Sequence, residues 1–184
     1  MKNFSAIRDL AVLLPLAALL LAGCSKQEEV EELVPEVSFS FDYPALPLSM
    51  DSAVVAGPGL ELELDSNALG QAVAANHYVP SQLTKLALTK MRLHFAMPAN
   101  SFYNPVKSVK VFMQANETSA VQVAKLNPVP DGAQTLLLDL NDVDVLQLVR
   151  SNQARLILRV GFDGPMPETT GHVMALGARA TVRL

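Results

Sequence analysis

The sequence holds one cysteine and no tryptophan, and aromatic residues fill only 5% of its 184 positions. A single thiol closes no internal disulfide and cannot furnish the multi-cysteine sets that hold structural zinc or iron–sulfur clusters. Cationic excess is missing as well: 14 Lys and Arg stand against 18 Asp and Glu, a net charge of −4. Binding nucleic acid through its phosphates requires a net basic face, so no nucleic-acid partner is expected. No Gly-x-Ser-x-Gly elbow, phosphate-binding loop or dinucleotide fingerprint occurs. His77, His94 and His172 are scattered, without an i,i+4 pair or an adjoining ligand, so neither a metal nor a cofactor is expected.

Hydrophobic runs are scarce too, apart from the one at the start. Behind Lys2 and Arg8, the stretch Leu10 to Leu21 is apolar for about a dozen residues and then gives way to Ala22-Gly23-Cys24. A membrane-spanning helix needs about 20 apolar residues, so residues 1–23 read as a secretory signal peptide rather than a span.

Leu21-Ala22-Gly23-Cys24 matches at all four positions the lipobox of bacterial lipoproteins, which it resembles in placement as well. The resemblance implies cleavage between Gly23 and Cys24, and lipidation of Cys24 with acyl chains. Each buried methylene adds about 0.8 kcal/mol, so several chains hold a protein to a membrane without a spanning helix. Residues 24–36 then form a tether: Ser25 to Glu36 carries five acids and one base, a density that keeps a chain extended. Such an acidic segment behind the lipidated cysteine looks like the export signals of some Gram-negative lipoproteins. Ser25 at the following position is compatible with delivery to the bacterial outer membrane. The expected location is therefore that membrane, facing either the cell surface or the periplasm.

Residues 37–184 form one domain's length with repeated period-two alternation. Met91-Arg-Leu-His-Phe-Ala-Met97 is the clearest case, followed by Leu156 to Phe162 and Met174 to Leu184. Further strands are predicted over Val37 to Tyr43, Leu60 to Leu64, Val106 to Met113, Val121 to Leu126 and Thr135 to Leu140. Pro128-Val-Pro-Asp-Gly132 and Asp163-Gly164-Pro165 with Pro167 supply the turn chemistry between them. Helical spacing appears over Ser66 to His77, behind a cap at Asp65 or Ser66, and over Asn141 to Arg150, with Asp142 and Asp144 in the first turn. The fold class expected is all-β: an antiparallel two-sheet β-sandwich, immunoglobulin-like in shape, of about eight strands with one or two short helices.

Glu61 with Glu63, and Asp142 with Asp144, are carboxylate pairs, yet the first lies on the polar side of a strand and the second in a helix's first turn. A catalytic role is not expected, and the chain reads as a non-enzyme. Arg155 and Arg159 occupy the polar side of one strand, and Arg179 and Arg183 that of the next. Paired as a hairpin, these strands place four guanidinium groups on one surface, suited to an anionic glycan or lipid headgroup. Lys90, Arg92 and His94 have the same polarity on another strand. The competing expectation is that the arginines pair across strands with Glu61 and Glu63. Asn116-Glu-Thr118 has the form of an N-glycosylation sequon but reads as a turn, and Asp51-Ser-Ala53 resembles an acceptor for O-glycosylation of exported bacterial proteins.

Ser108-Val-Lys-Val-Phe112, Val121-Gln-Val-Ala-Lys125, Leu138-Asp-Leu with Asp142-Val-Asp-Val145, and Leu156-Ile-Leu-Arg-Val160 together resemble small uncharacterised bacterial envelope lipoproteins with a β-sandwich. That resemblance implies a fold and a location and carries no catalytic motif. The expected function is a lipid-anchored, non-enzymatic binding or scaffolding protein whose partners are the membrane, through its lipid, and a protein or an anionic glycan. The second expectation is a surface carbohydrate-binding or adhesin-type module.

Overall fold

The computed structural model describes residues 34–50, 59–97, 102–116, 118–151, 153–163 and 170–184. The leader with Gly23 and Cys24, most of the tether, Asp51 to Ala53, and Gly164, Pro165 and Pro167 lie outside them.

The described residues form two antiparallel five-stranded sheets. In sheet I, β1 (Glu36–Asp42) and β2 (Leu46–Met50) lie end to end along β10 (Thr170–Arg183), which pairs on its other side with β4 (Leu83–Met97). A short β7 (Thr135–Leu137) follows at the far edge of β4. Sheet II runs β3 (Leu60–Glu63), β9 (Ala154–Phe162), β5 (Val106–Ala115), β6 (Val121–Leu126) and β8 (Asp139–Leu140). The all-β sandwich is as expected. Its wiring is that of a jelly roll: the chain passes from β2 to β3, from β4 to β5 and from β9 to β10 by crossing between sheets. An immunoglobulin domain keeps its last two strands in one sheet, and here they part.

Inward-facing residues fuse the sheets into one aliphatic core. Leu86, Leu93, Met174, Leu176 and Val182 of sheet I are at most 1% exposed, as are Val109, Val111, Met113, Leu156 and Leu158 of sheet II. At about 25 cal/mol per Å² of apolar surface removed from water, this layer dominates the favourable side of folding.

The sequence-level strands are found with three differences. Residues 83–90 extend the strand expected from Met91, because register shifts opposite Gly177/Ala178 and Thr181/Val182 disturb the alternation. Leu46–Met50 is an additional strand. The single strand expected over Thr135 to Leu140 divides at Leu138, with β7 in sheet I and β8 in sheet II.

Two helices sit at one pole. α1 (Ser66–Ala75) starts as expected, with the Asp65 carboxylate accepting the Asn67 N–H at 2.9 Å. The helix expected over Asn141 to Arg150 is confined to α2 (Leu146–Arg150). Asp142 and Asp144 are therefore not in its first turn. Asp142 lies 3.8 Å from Lys85, and Asp144 Oδ1 accepts the backbone N–H of both Leu86 and Leu146 at 3.0 Å. The carboxylate ties α2 to β4 by satisfying one donor of each, the Leu146 N–H at the helix start and the Leu86 N–H of the strand. Arg150 closes the same pole by donating to the carbonyls of Pro80 and Leu83 at 3.1 and 3.0 Å. Among the described residues no helix is long and apolar enough to cross a membrane.

Candidate functional site

The four-arginine surface does not form. Arg155 and Arg159 are on β9 in sheet II, whereas Arg179 and Arg183 are on β10 in sheet I, on opposite outer faces of the sandwich. The two strands are separated by only seven residues in sequence, as in a hairpin, yet they belong to different sheets.

Sheet II compensates its arginines locally. Arg155 Nη1 donates to Glu61 Oε2 at 2.8 Å, a diagonal cross-strand pair, and Arg155 Nη2 reaches Gln114 Oε1 at 3.5 Å. The Arg159 guanidinium lies 4.9 Å from the centre of the Phe112 ring, on the strand beside it. The competing expectation of cross-strand pairing thus holds for Arg155, through Glu61. Glu63 faces Arg155 in register. Lys110 and Lys125 lie directly opposite each other on the same outer face, with Asp139 across from Lys125.

Sheet I collects a different set. Strand register places Arg183 beside Glu36, Arg179 between Ser40 and Ala87, Lys90 beside Gly177, and Arg92 beside Ala175. Lys85 faces Thr181 at the helical pole, and His94 faces Val173 further along. Sequence alternation had already put Lys90, Arg92 and His94 on one polar side; the structure joins them to Arg179 and Arg183. Glu36 and Asp42 are the acids of β1 on this face.

Gly177 shapes the centre of the face. A Cβ built there meets Asp42 Oδ1 at 2.9 Å and Lys90 Cβ at 3.2 Å, so the absent side chain lets these neighbours close over the strand between them. Asp42 and Lys90 approach to 3.9 Å. Lys85 is likewise engaged, with Asp142. Arg92, Arg179 and Arg183 are exposed and make no ion pair among the described residues. The spaces between them are filled by Ala87, Ala175, Gly177 and hydroxyls, with Ser38 Oγ 2.9 Å from Thr181 Oγ1.

The histidines occupy three separate settings. His77 follows α1 with φ 64°, His94 lies on the outer face of sheet I, and His172 is 1% exposed in the core. Among the described residues no group of three His, Cys, Asp or Glu is placed to hold a metal ion. At His172 the Tyr103 hydroxyl stands 2.9 Å from Nδ1 and Thr170 Oγ1 stands 2.7 Å from Nε2. A neutral ring donates through one nitrogen and accepts through the other, so it satisfies both partners. Phe95 packs against both rings at 4.2 and 4.4 Å between centroids. Burial, with His94 nearby, pushes the imidazole down to about 4, and burial pushes the Tyr103 phenol up. This chain ties the segment before β5 to the start of β10 at the pole opposite the helices. Sequence reading could not find it, because its members are 69 residues apart and share no motif.

Between α1, the turn Pro80–Gln82 and α2 is a cleft of about 230 Å³, lined by Leu69, Val73, Leu83 and Val149, with the Arg150 guanidinium already spent on carbonyls. Asn116 of the sequon is a turn residue with φ 49°, and the Thr118 hydroxyl donates to the Ala115 carbonyl at 2.6 Å, as the turn reading expected.

No protein-family model matches the chain, and no curated protein matches it. Among solved structures, a chain from Desmodium yellow mottle tymovirus is similar over 82% of this chain and 89% of that one, at 11% identity and a TM-score of 0.31, which is too low to carry an argument.

Proposed function

We propose that this chain is a bacterial envelope lipoprotein, held to the outer membrane by acyl chains on Cys24 and acting by binding or scaffolding rather than by catalysis. The observation that carries the reading is Leu21-Ala22-Gly23-Cys24 behind a short apolar run, followed by an acidic spacer that ends where β1 begins at Glu36. Support for the spacer's role comes from where the domain starts: a compact unit opens at Pro35, within two residues of the boundary expected from composition. Twelve extended residues reach about 40 Å, enough to hold such a domain clear of headgroups.

The chain enters the sandwich at the helical pole, where Glu36 faces Arg183. Support for a binding role comes from the polar groups themselves. Glu61 is engaged by Arg155, Asp144 by backbone donors, and His172 by Tyr103 and Thr170. Arg92, Arg179 and Arg183 of sheet I make no ion pair among the described residues, and neither do Lys110 and Lys125 of sheet II; exposed cations of this kind favour the second reading, a carbohydrate-binding module, as the form the binding takes.

Metabolic labelling with a fatty acid is the test. The native chain takes up label and Cys24→Ala does not; an unlabelled native chain overturns the anchor. Protease treatment of intact cells, with a periplasmic protein as lysis control, then separates the two faces: digestion places the domain outside, and protection places it in the periplasm.

A further inference from the structure

We infer that the outer face of sheet I docks a linear, hydroxylated polyanion, of the class of acidic polysaccharides. The inference deepens the binding reading above and does not depend on the lipid anchor.

The geometry of Arg183, Arg179 and Arg92 points to this ligand class. Arg183 and Arg179 are four residues apart on β10, or about 13 Å at strand rise. Arg92 faces Ala175, a further four residues along and one strand over, so it stands about 14 Å from Arg179. The three Cα positions form an oblique row about 27 Å long with nearly even spacing. Three side chains rooted over that length cannot all converge on one carboxylate or one phosphate. Together they meet more than one anion, which requires a chain carrying anionic groups at intervals.

The floor between them suits a chain lying flat. Ala87, Ala175 and Gly177 project little, and the Asp42–Lys90 pair across Gly177 is internally neutral. Ser38, Ser40 and Thr181 offer hydroxyls beside Arg179 and Arg183. A polysaccharide supplies both the anions and the hydroxyl partners that this surface asks for.

Other polyanions fit less well. Single-stranded nucleic acid needs aromatic platforms for its bases, and the residues in register on this face include none besides His94. An anionic bilayer would be opposed by the tether's own charge, a net −4 over twelve residues.

The test uses the full chain, purified in a non-ionic detergent, with polygalacturonate as the polyanion, dextran as the neutral polymer and phosphatidylglycerol vesicles as the membrane arm. The native protein binds polygalacturonate saturably and ignores dextran. Arg92→Gln with Arg179→Gln weakens binding at least about tenfold and flattens the salt dependence by about two ions. Lys110→Gln with Lys125→Gln removes the same charge from sheet II and leaves affinity within about twofold. Absence of saturable binding to polygalacturonate, equal loss in the two double variants, or binding to the vesicles alone overturns the proposal. Fatty-acid labelling at Cys24 is read on the same preparations, so a failed anchor and a failed ligand surface are told apart.

Discussion

The two outer faces of the sandwich carry the same residue type in the same alternating pattern and come to opposite electrostatic ends. On sheet II, Arg155 meets Glu61 at 2.8 Å and Arg159 lies over Phe112. On sheet I, Arg92, Arg179 and Arg183 stand exposed and make no ion pair among the described residues: Asp42 is turned to Lys90, and Glu36 faces Arg183 across the ladder without closing on it. An arginine's neighbours across the ladder decide whether it braces the sheet or is left for a partner, and those neighbours are set by the crossing of the chain between sheets. Position along the strand does not decide it.

Perturbing what the faces share gives the largest effect. Leu93→Ala in sheet I and Leu156→Ala in sheet II, both 0% exposed, each lower unfolding stability by about 2–5 kcal/mol in denaturant titrations, because both remove volume from one common core. A large cost from one with a negligible cost from the other would mean that the sheets do not share it.

His172 comes next. Its folded pKa of about 4 lies below the ordinary 6.5, so between those values the unfolded chain binds a proton that the folded one refuses. Stability is full above about 6.5 and falls as pH drops to about 4, by on the order of 3 kcal/mol. Thermal unfolding across that window checks it, and His172→Gln flattens the profile.

Smaller effects separate the faces themselves. Glu61→Gln costs about 0.5–1 kcal/mol by depriving Arg155 of its ion-pair partner, whereas Arg179→Gln costs less than about 0.5 kcal/mol, since Arg179 makes no ion pair among the described residues. Equal costs in denaturant titrations would erase the contrast. Asp42→Asn releases Lys90 to the basic row and raises affinity for polygalacturonate about two- to threefold by calorimetry, with unchanged affinity as the contrary result.

Much of the sandwich was legible because half-buried strands alternate. Met91, Leu93 and Phe95 face inward as their spacing says, as do Met174, Leu176, Ala178, Ala180 and Val182. What escaped has local physical causes. In residues 83–91 the inward positions are Leu83, Leu86, Leu88 and Met91, at intervals of three, two and three, because bulges insert extra residues. Leu46–Met50 is not among the expected strands; it holds Pro47, which β2 tolerates as an edge strand. Leu138 gave no sign that the chain changes sheets there. The basic face was legible in halves: alternation grouped Lys90 with Arg92, and Arg179 with Arg183, but nothing local says that β10 pairs with β4 and that β9 does not pair with β10.

The most direct test of the contrast between faces is an NMR titration of the arginine Nε–H signals of the full chain with polygalacturonate oligosaccharides. The account predicts that Arg92, Arg179 and Arg183 shift together and saturate at one ligand concentration while Arg155 and Arg159 stay in place. Shifts centred on Arg155 and Arg159, or spread evenly over both sets, would contradict it.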